Sequence, residues 1–175
     1  MLQAVPGRGS NLLAITTDGK VYYITMHIWL QNWNWFSSNQ GVDDYENMLK
    51  KVDDYWEVHV AAAEKLNKPI VLEEFGLARD SLKFNPKYSV DLRNKFYGHI
   101  FQKVLNSIKK NGRVLGLNFW SYSGEGIPNK PGFYWTKGDH ITGDSPHEKQ
   151  GWYSVYSTDI STLKIIETYS WIGRS

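Results

Sequence analysis

Short continuous apolar runs alternate along the chain with longer stretches of helical spacing. The first run, Val21 to His27, is β-branched and aromatic, which is typical of a strand buried on both faces. A second run begins at Ile70 and leads into the acidic pair Glu73 and Glu74, and a third extends from Val114 to Trp120. The pattern therefore predicts three buried strands.

The segments that separate these runs have the apolar spacing of amphipathic helices. One helix is predicted from Val42 to Leu66, where Asn67-Lys68-Pro69 ends it, and a second from Val90 to Lys110, where Asn111-Gly112 ends it. A closing helix is predicted over Thr162 to Ile172. The order β-α-β-α-β-loop-α favours an α/β fold in which adjacent parallel strands are covered by helices.

Residues able to do chemistry lie at the end of each predicted strand. They are His27, the pair Glu73 and Glu74, and Asn118 with Trp120. Because the carboxyl ends of parallel strands meet at one edge of a sheet, we expect these side chains to share one pocket.

Two stretches have no sustained period. Residues 1 to 20 are predicted to be an irregular lead-in, so that the folded domain covers residues 21 to 175. Ser121 to Ser161 is rich in glycine, proline, aspartate and aromatic residues, and it is too long for a simple connection. Such a segment is typical of a functional loop.

Aromatic residues make up 15% of the chain, with 8 tryptophans among them. Most of the tryptophans stand among glycine, asparagine and serine, as loop residues do. Flat rings beside amides and carboxylates suit a ligand with apolar C–H faces and many hydroxyls, which is a sugar. Aromatic packing in the core is the alternative interpretation.

Charge and composition exclude several other classes. The 20 basic and 18 acidic residues give a net charge of only +2, so neither nucleic acid nor an anionic membrane is an expected partner. No apolar run approaches the roughly 20 residues of a membrane span, and Met1 to Pro6 lacks the order of a signal peptide. The absence of cysteine excludes thiolate metal sites and cysteine nucleophiles.

No metal or cofactor is expected. His140 and His147 lie near Asp139, Asp144 and Glu148, but the five residues fit no metal-binding spacing, so they are predicted to be hydrogen-bonded loop residues.

Several motifs together resemble a known family. They are His27-Ile28-Trp29, Gln31-Asn32-Trp33, Lys68 to Gly76 and Gly116 to Trp120. In this order they are similar to the last three strands of a glycoside hydrolase family 5 barrel of the endo-β-1,4-mannanase type. The later stretches Gly124-Glu125-Gly126, Gly143 to Glu148 and Gln150 to Tyr156 are similar to the long final loop of the same enzymes. The resemblance covers roughly Val21 to Ile166 and implies the C-terminal portion, about three β/α units, of a (β/α)8 TIM barrel that this chain leaves incomplete.

The resemblance implies a retaining mechanism with Glu74 as nucleophile, because the family places that acid directly before an aromatic residue and glycine, here Phe75-Gly76. Strand alternation predicts that Glu73 points the other way, toward the helices or the rim, as a structural acid near the substrate.

The substrate-binding residues implied by the resemblance are His27, Trp29, Trp33 and Trp120. His27 would lie beside the sugar and orient the carboxylates, and Trp120 would stack under the ring. Trp29 occupies a position where many relatives carry tyrosine, and its indole N–H can donate but not accept. Structural roles in the core are the alternatives for His27 and Trp120.

A complete barrel needs about 250 residues and eight strands. The family's general acid/base is a glutamate in an Asn-Glu pair at the end of the fourth strand, and no Asn-Glu pair precedes His27. We therefore expect the chain alone to be inactive on β-mannan or related polysaccharides. Pairing with a complementary N-terminal half, self-association, or a role as a non-catalytic carbohydrate-binding module are alternatives. The parent enzyme is expected to be extracellular or periplasmic.

Overall fold

The computed structural model describes residues 21–37 and 42–172 of the chain. Within them, three strands form a parallel sheet in the order β1-β2-β3. The strands are β1 Ile24–Trp29, β2 Ile70–Gly76 and β3 Val114–Leu117, and the helices are α1 Val42–Leu66, α2 Asp91–Lys109 and α3 Ile160–Ile172. A 3-10 turn, Asp80–Leu82, follows β2, and a small parallel ribbon pairs β4 Tyr122–Gly124 with β5 Val155–Tyr156.

The first strand is displaced from its predicted position. It begins at Ile24, where the backbone N–H donates to the Pro69 carbonyl at 2.8 Å, and it runs on to Trp29. Tyr22 and Tyr23, which precede it, are 82% and 48% exposed, so the apolar run starts before the buried strand does.

Pairing of the third strand continues past Leu117. The Asn118 N–H donates to the Leu72 carbonyl and the Trp120 N–H to the Phe75 carbonyl, each at 2.8 Å. These bonds fix Trp120 beside the end of β2, which agrees with the predicted extent of this segment.

The core lies between the sheet and its helices. Met48, Val52 and Trp56 of α1 are buried, as are Phe96 and Ile100 of α2. Burying each such side chain contributes about 1.5–3 kcal/mol, which outweighs the weak intrinsic helix preference of valine and the aromatic residues. The helical spacing seen in the sequence therefore marks the faces that cover the sheet.

The sheet does not close into a barrel in the described part of the chain, where β1 and β3 each pair on one side only. Leu115 of β3 is 53% exposed, although it belongs to an apolar strand. The predicted consecutive parallel β/α units are thus confirmed and form an unclosed sheet, whereas the lead-in predicted for residues 1 to 20 lies outside the described residues. No helix within residues 42–172 is long and apolar enough to cross a bilayer.

Two buried arginines tie the end of β2 to the last helix. Arg79 donates to both carboxylate oxygens of Asp159 through Nη2, at 2.6 and 2.5 Å, and to the Tyr88 carbonyl through Nη1 at 2.8 Å. Arg93 donates to the Leu77 carbonyl at 2.7 Å and to the Ser154 carbonyl at 2.9 Å. Because a buried charge is costly without partners, these bonds fix where the long loop returns to the sheet.

His59 gives the fold a specific acid sensitivity. Burial lowers the pKa of its imidazole, and the nearby Tyr55 carbonyl opposes that shift. The unfolded chain therefore takes up this proton first as pH falls below about 6.5, and the stability that depends on a neutral His59 is lost.

We expect the free energy of unfolding of the wild type to fall more steeply from about pH 7.5 to 5.5 than that of His59→Gln, measured by urea denaturation. His140→Gln, at an exposed position, should keep the wild-type slope, and equal slopes for wild type and His59→Gln would contradict this assignment.

Candidate active site

The ends of β1 and β2 bring one imidazole between two carboxylates. The register pairs Met26 with Leu72 but His27 with Glu74, so Glu73 is an extra residue in β2. Nδ1 of His27 lies 3.0 Å from Oε2 of Glu74, and Nε2 lies 3.5 Å from Oε2 of Glu73.

The placement of Glu73 corrects the prediction from alternation. A regular strand would direct Glu73 and Glu74 to opposite faces, but the extra residue interrupts the alternation, and both carboxylates reach His27. The two acids still differ, because Glu74 lines the neighbouring cavity and Glu73 is not among its lining residues.

An open cavity of about 330 Å³ lies at this edge of the sheet, within the size range of ligand pockets. We call it the strand-end pocket. Its lining residues are Trp29, Asn32, Trp33, Glu74, Trp120, Ser145, His147 and Glu148. The structure thus brings four predicted site residues, Trp29, Trp33, Glu74 and Trp120, to the pocket. His27 is only 4% exposed and is not a lining residue, but it contacts Glu74, which is.

Aromatic contacts fix the wall around Trp29. Its ring packs edge-on against Trp120 at 6.0 Å and against Tyr153 at 5.1 Å between centroids. The Tyr153 hydroxyl donates to Oδ1 of Asn32, which joins this wall to the loop after β1. Trp29 is therefore mostly buried, and Trp120 presents the more exposed ring.

Trp33 belongs to an aromatic cluster that supports the same site. Its ring lies 4.9 Å from Trp35 and 5.2 Å from Tyr55 between centroids. Tyr55 shares a hydrogen bond with the backbone of His27, and burial raises the pKa of its hydroxyl. The cluster links α1 to the strand that carries the histidine.

The close approach of Trp120 and Tyr153 to β2 requires glycine at position 76. A Cβ added there would lie 2.6 Å from the Trp120 carbonyl oxygen and 3.0 Å from Cδ1 of Tyr153. Only glycine lets β2 pass this close to Trp120 without displacing it.

Asp144 holds the long loop against the pocket. Its carboxylate accepts hydrogen bonds from the Gly151 N–H at 2.8 Å, the Tyr153 N–H at 2.7 Å and the Ser154 hydroxyl at 2.5 Å. Burial raises the pKa of Asp144, and these bonds, together with the charge of Arg93, oppose the rise. The closed loop places Ser145, His147 and Glu148 at the pocket.

Sequence reasoning missed the last of these contributions. The loop as a whole was predicted to be functional, but His147 and Glu148 were assigned only hydrogen-bonding roles. Ser145 does approach His147 at 3.4 Å, and Asp139 accepts bonds from the Thr136 N–H and hydroxyl at 2.9 and 2.6 Å. The motif Gly143 to Glu148 was the sequence signal for these residues, but it did not assign them to the pocket.

Comparisons with known proteins identify the family of the chain. Residues 10–172 match the model of the β-mannosidase-like members of glycoside hydrolase family 5. The mannan endo-1,4-β-mannosidase 7 of Arabidopsis thaliana is 29% identical over 126 residues, which is 71% of this chain and 27% of that protein. A glycoside hydrolase family 5 mannosidase from Rhizomucor miehei superposes with a TM-score of 0.79 at 33% identity, covering 89% of this chain and 38% of that one.

A further solved structure is the E202A mutant of the Rhizomucor miehei mannosidase in complex with mannosyl-fructose, with a TM-score of 0.77 and 30% identity over 89% of this chain and 39% of that one. The endo-β-1,4-mannanase of Thermotoga petrophila, at 15% identity and a TM-score of 0.53, shows the fold alone. The chain spans well under half the length of these relatives.

The loop should depend on Asp144. In Asp144→Ala, three donors lose a buried acceptor, so we expect the free energy of unfolding to fall by about 3 kcal/mol, measured by urea denaturation. Asp139→Ala, which removes an acid from the same loop whose bonds are local, should change stability much less. An equal loss in both variants would show that the Asp144 contacts do not hold the loop.

Proposed function

Because this chain belongs to the β-mannosidase-like group of glycoside hydrolase family 5, we propose that it carries the nucleophile and part of the sugar-binding pocket of a retaining β-mannan hydrolase. The observation that carries the proposal is the contact of Glu74 with His27 at 3.0 Å, on the wall of a pocket lined by three tryptophans.

Glu74 is suited to attack a sugar for two reasons. Its carboxylate is partly exposed to the pocket, with 28% of the side chain accessible. An N–H on Nδ1 of His27 would donate to one carboxylate oxygen and hold it in a single orientation, which is how a positioned nucleophile gains over a mobile one. Glu73 lies 3.5 Å from the other imidazole nitrogen and borders His27 on that side.

In the proposed reaction, a Glu74 oxygen forms a bond to the anomeric carbon as the bond to the leaving oxygen breaks. The electron pair stays with the leaving oxygen, which takes a proton from a general acid. Water then attacks the anomeric carbon, loses its proton to the same group acting as base, and releases the Glu74 carboxylate.

The proton donor is proposed to lie outside the strands described. In retaining enzymes the two carboxyl groups stand about 5 to 5.5 Å apart at strand ends. The second carboxylate of the strand-end pocket is Glu148, which belongs to the loop and not to a strand. Without a general acid, turnover of natural mannan should fall by about 10²- to 10⁴-fold. We therefore propose that the chain alone is inactive on the polymer.

The open edges of β1 and β3 support a role for a complementary N-terminal half, which would continue the sheet on both sides. Self-association could cover the same edges but would not add an Asn-Glu strand. A non-catalytic sugar-binding module is the second candidate function, because the packed aromatic rings of the pocket wall could bind a sugar without a general acid.

The proposed substrate is β-1,4-mannan or a closely related polysaccharide, as the names of the relatives indicate. Trp120 would stack under the sugar ring, with Trp29 and Trp33 flanking it. Since such polymers lie outside cells, we propose that the parent enzyme works in an extracellular or periplasmic space.

A substrate with an activated leaving group tests the nucleophile without requiring a general acid. 2,4-Dinitrophenyl β-mannoside needs no proton on its leaving group, so we expect the chain to release dinitrophenolate although it does not hydrolyse mannan. Glu74→Gln should abolish the release, and Glu73→Gln should only slow it. The measurement is absorbance of the dinitrophenolate.

The reverse ranking of the two variants would make Glu73 the nucleophile. Absence of release from every protein, with mannobiose binding retained in calorimetry, would favour the binding module. Reducing-sugar release from mannan by the chain alone would contradict the proposed absence of a proton donor.

A further inference from the structure

One side chain of α1 contacts both the pocket wall and the strand that carries the histidine. The Tyr55 ring lies 5.2 Å from the Trp33 ring between centroids, and the Tyr55 hydroxyl shares a hydrogen bond with the backbone of His27. Trp33 lines the strand-end pocket, and His27 contacts Glu74 at 3.0 Å. Tyr55 is not itself a lining residue of that pocket. It is therefore one contact away from a ring that would bind a sugar and from the histidine that holds the attacking acid.

The hydrogen bond from Tyr55 reaches β1 on its outer side. The Ile24 N–H donates to the Pro69 carbonyl, and so points toward β2. Because backbone groups alternate between the two sides of a strand, those of His27, three residues later, point away from β2. In the described part of the chain no strand pairs with that outer side. Tyr55 thus supplies there a bond that a neighbouring strand would otherwise supply.

The Tyr55 ring is held in place by its neighbours. Its centroid lies 5.7 Å from that of Trp35 and 4.1 Å from that of His59, one turn further along α1. Val52 and Trp56, which stand on either side of Tyr55 in the sequence, are buried in the core and fix the helix against the sheet. A side chain restrained in this way keeps its hydroxyl in one place, which is a condition for positioning another group.

The two parts of Tyr55 contact different components of the site. The hydroxyl meets the backbone of His27, at the residue where the register between β1 and β2 shifts. A small movement of this backbone would change the contact between Nδ1 of His27 and Glu74, on which the orientation of the carboxylate depends. The ring, by contrast, supports Trp33 through an aromatic contact.

We propose that Tyr55 is a positioning residue, whose hydroxyl sets the orientation of His27 and hence of Glu74 and whose ring holds Trp33 at the pocket wall. This inference rests on the proposed function and deepens it, because it separates control of the reaction rate from control of sugar binding within one side chain. Loss of the hydroxyl slows the reaction and leaves binding intact, whereas loss of the ring weakens binding as well.

Steady-state hydrolysis of 2,4-dinitrophenyl β-mannoside tests this separation. In Tyr55→Phe, we expect kcat to fall about 5-fold, the size that the loss of one hydrogen bond gives, with KM unchanged. In Tyr55→Leu, we expect kcat to fall similarly and KM to rise, because Trp33 also loses its support. Tyr45→Phe is the matched control and should keep both constants, since it removes the hydroxyl of a buried tyrosine of the same helix whose ring packs against Phe36.

Nuclear magnetic resonance tests the positioning apart from any reaction. In Tyr55→Phe, the imidazole ¹⁵N resonances and the backbone amide resonance of His27 should shift, whereas those of His99, on α2, should not. Tyr45→Phe should leave the resonances of both histidines unchanged.

In a chain that turns over the substrate, a wild-type kcat in Tyr55→Phe would overturn the inference, and so would His27 resonances that do not move. A change of KM alone in Tyr55→Phe would also overturn it, because the hydroxyl would then act on binding. Absence of turnover by the wild type would instead overturn the proposed function, and a shift of the His27 resonances in Tyr55→Phe would still show that Tyr55 positions the imidazole.

Discussion

The register shift between β1 and β2 is the constraint on which the site depends. In a strand with unbroken alternation, only one of Glu73 and Glu74 would lie on the face that His27 reaches. With the extra residue Glu73, the imidazole contacts both acids, and Glu74 is left on the pocket wall. A bulge beside an active site commonly redirects a side chain in this way. The same local irregularity therefore gives two adjacent glutamates different surroundings, because Glu74 lines the pocket and Glu73 is not among its lining residues.

The end of β3 and the long loop enclose the strand-end pocket beside β2. Gly76 lets Trp120 approach β2, and Asp144 gathers the loop through Gly151, Tyr153 and Ser154. Arg93, beneath them, holds Ser154 to the end of β2. Because every partner of this buried network is polar, its geometry is more restrictive than that of an apolar contact. The pocket is thus shaped as much by the loop as by the sheet.

The sequence was most informative where burial dominates. The apolar runs located the strands, and the helical spacing of Met48, Val52 and Trp56 located the covering face of α1, since both patterns follow directly from the periods of regular structure. The orientation of Glu73 could not be predicted, because alternation assumes an unbroken ladder. Glu148 could not be assigned to the pocket either, since its place depends on hydrogen bonds of Asp144 to residues 151–154 that no periodic pattern marks.

The proposed attack of Glu74 on the anomeric carbon of a mannose unit can be trapped chemically. The chain is incubated with 2-deoxy-2-fluoro-β-mannosyl fluoride, whose leaving group requires no proton donor, and the adduct is located by peptide mass spectrometry. We expect one fluoromannosyl group attached to Glu74. Attachment to Glu73 or Glu148, or an unmodified protein that nevertheless binds mannobiose, would contradict it.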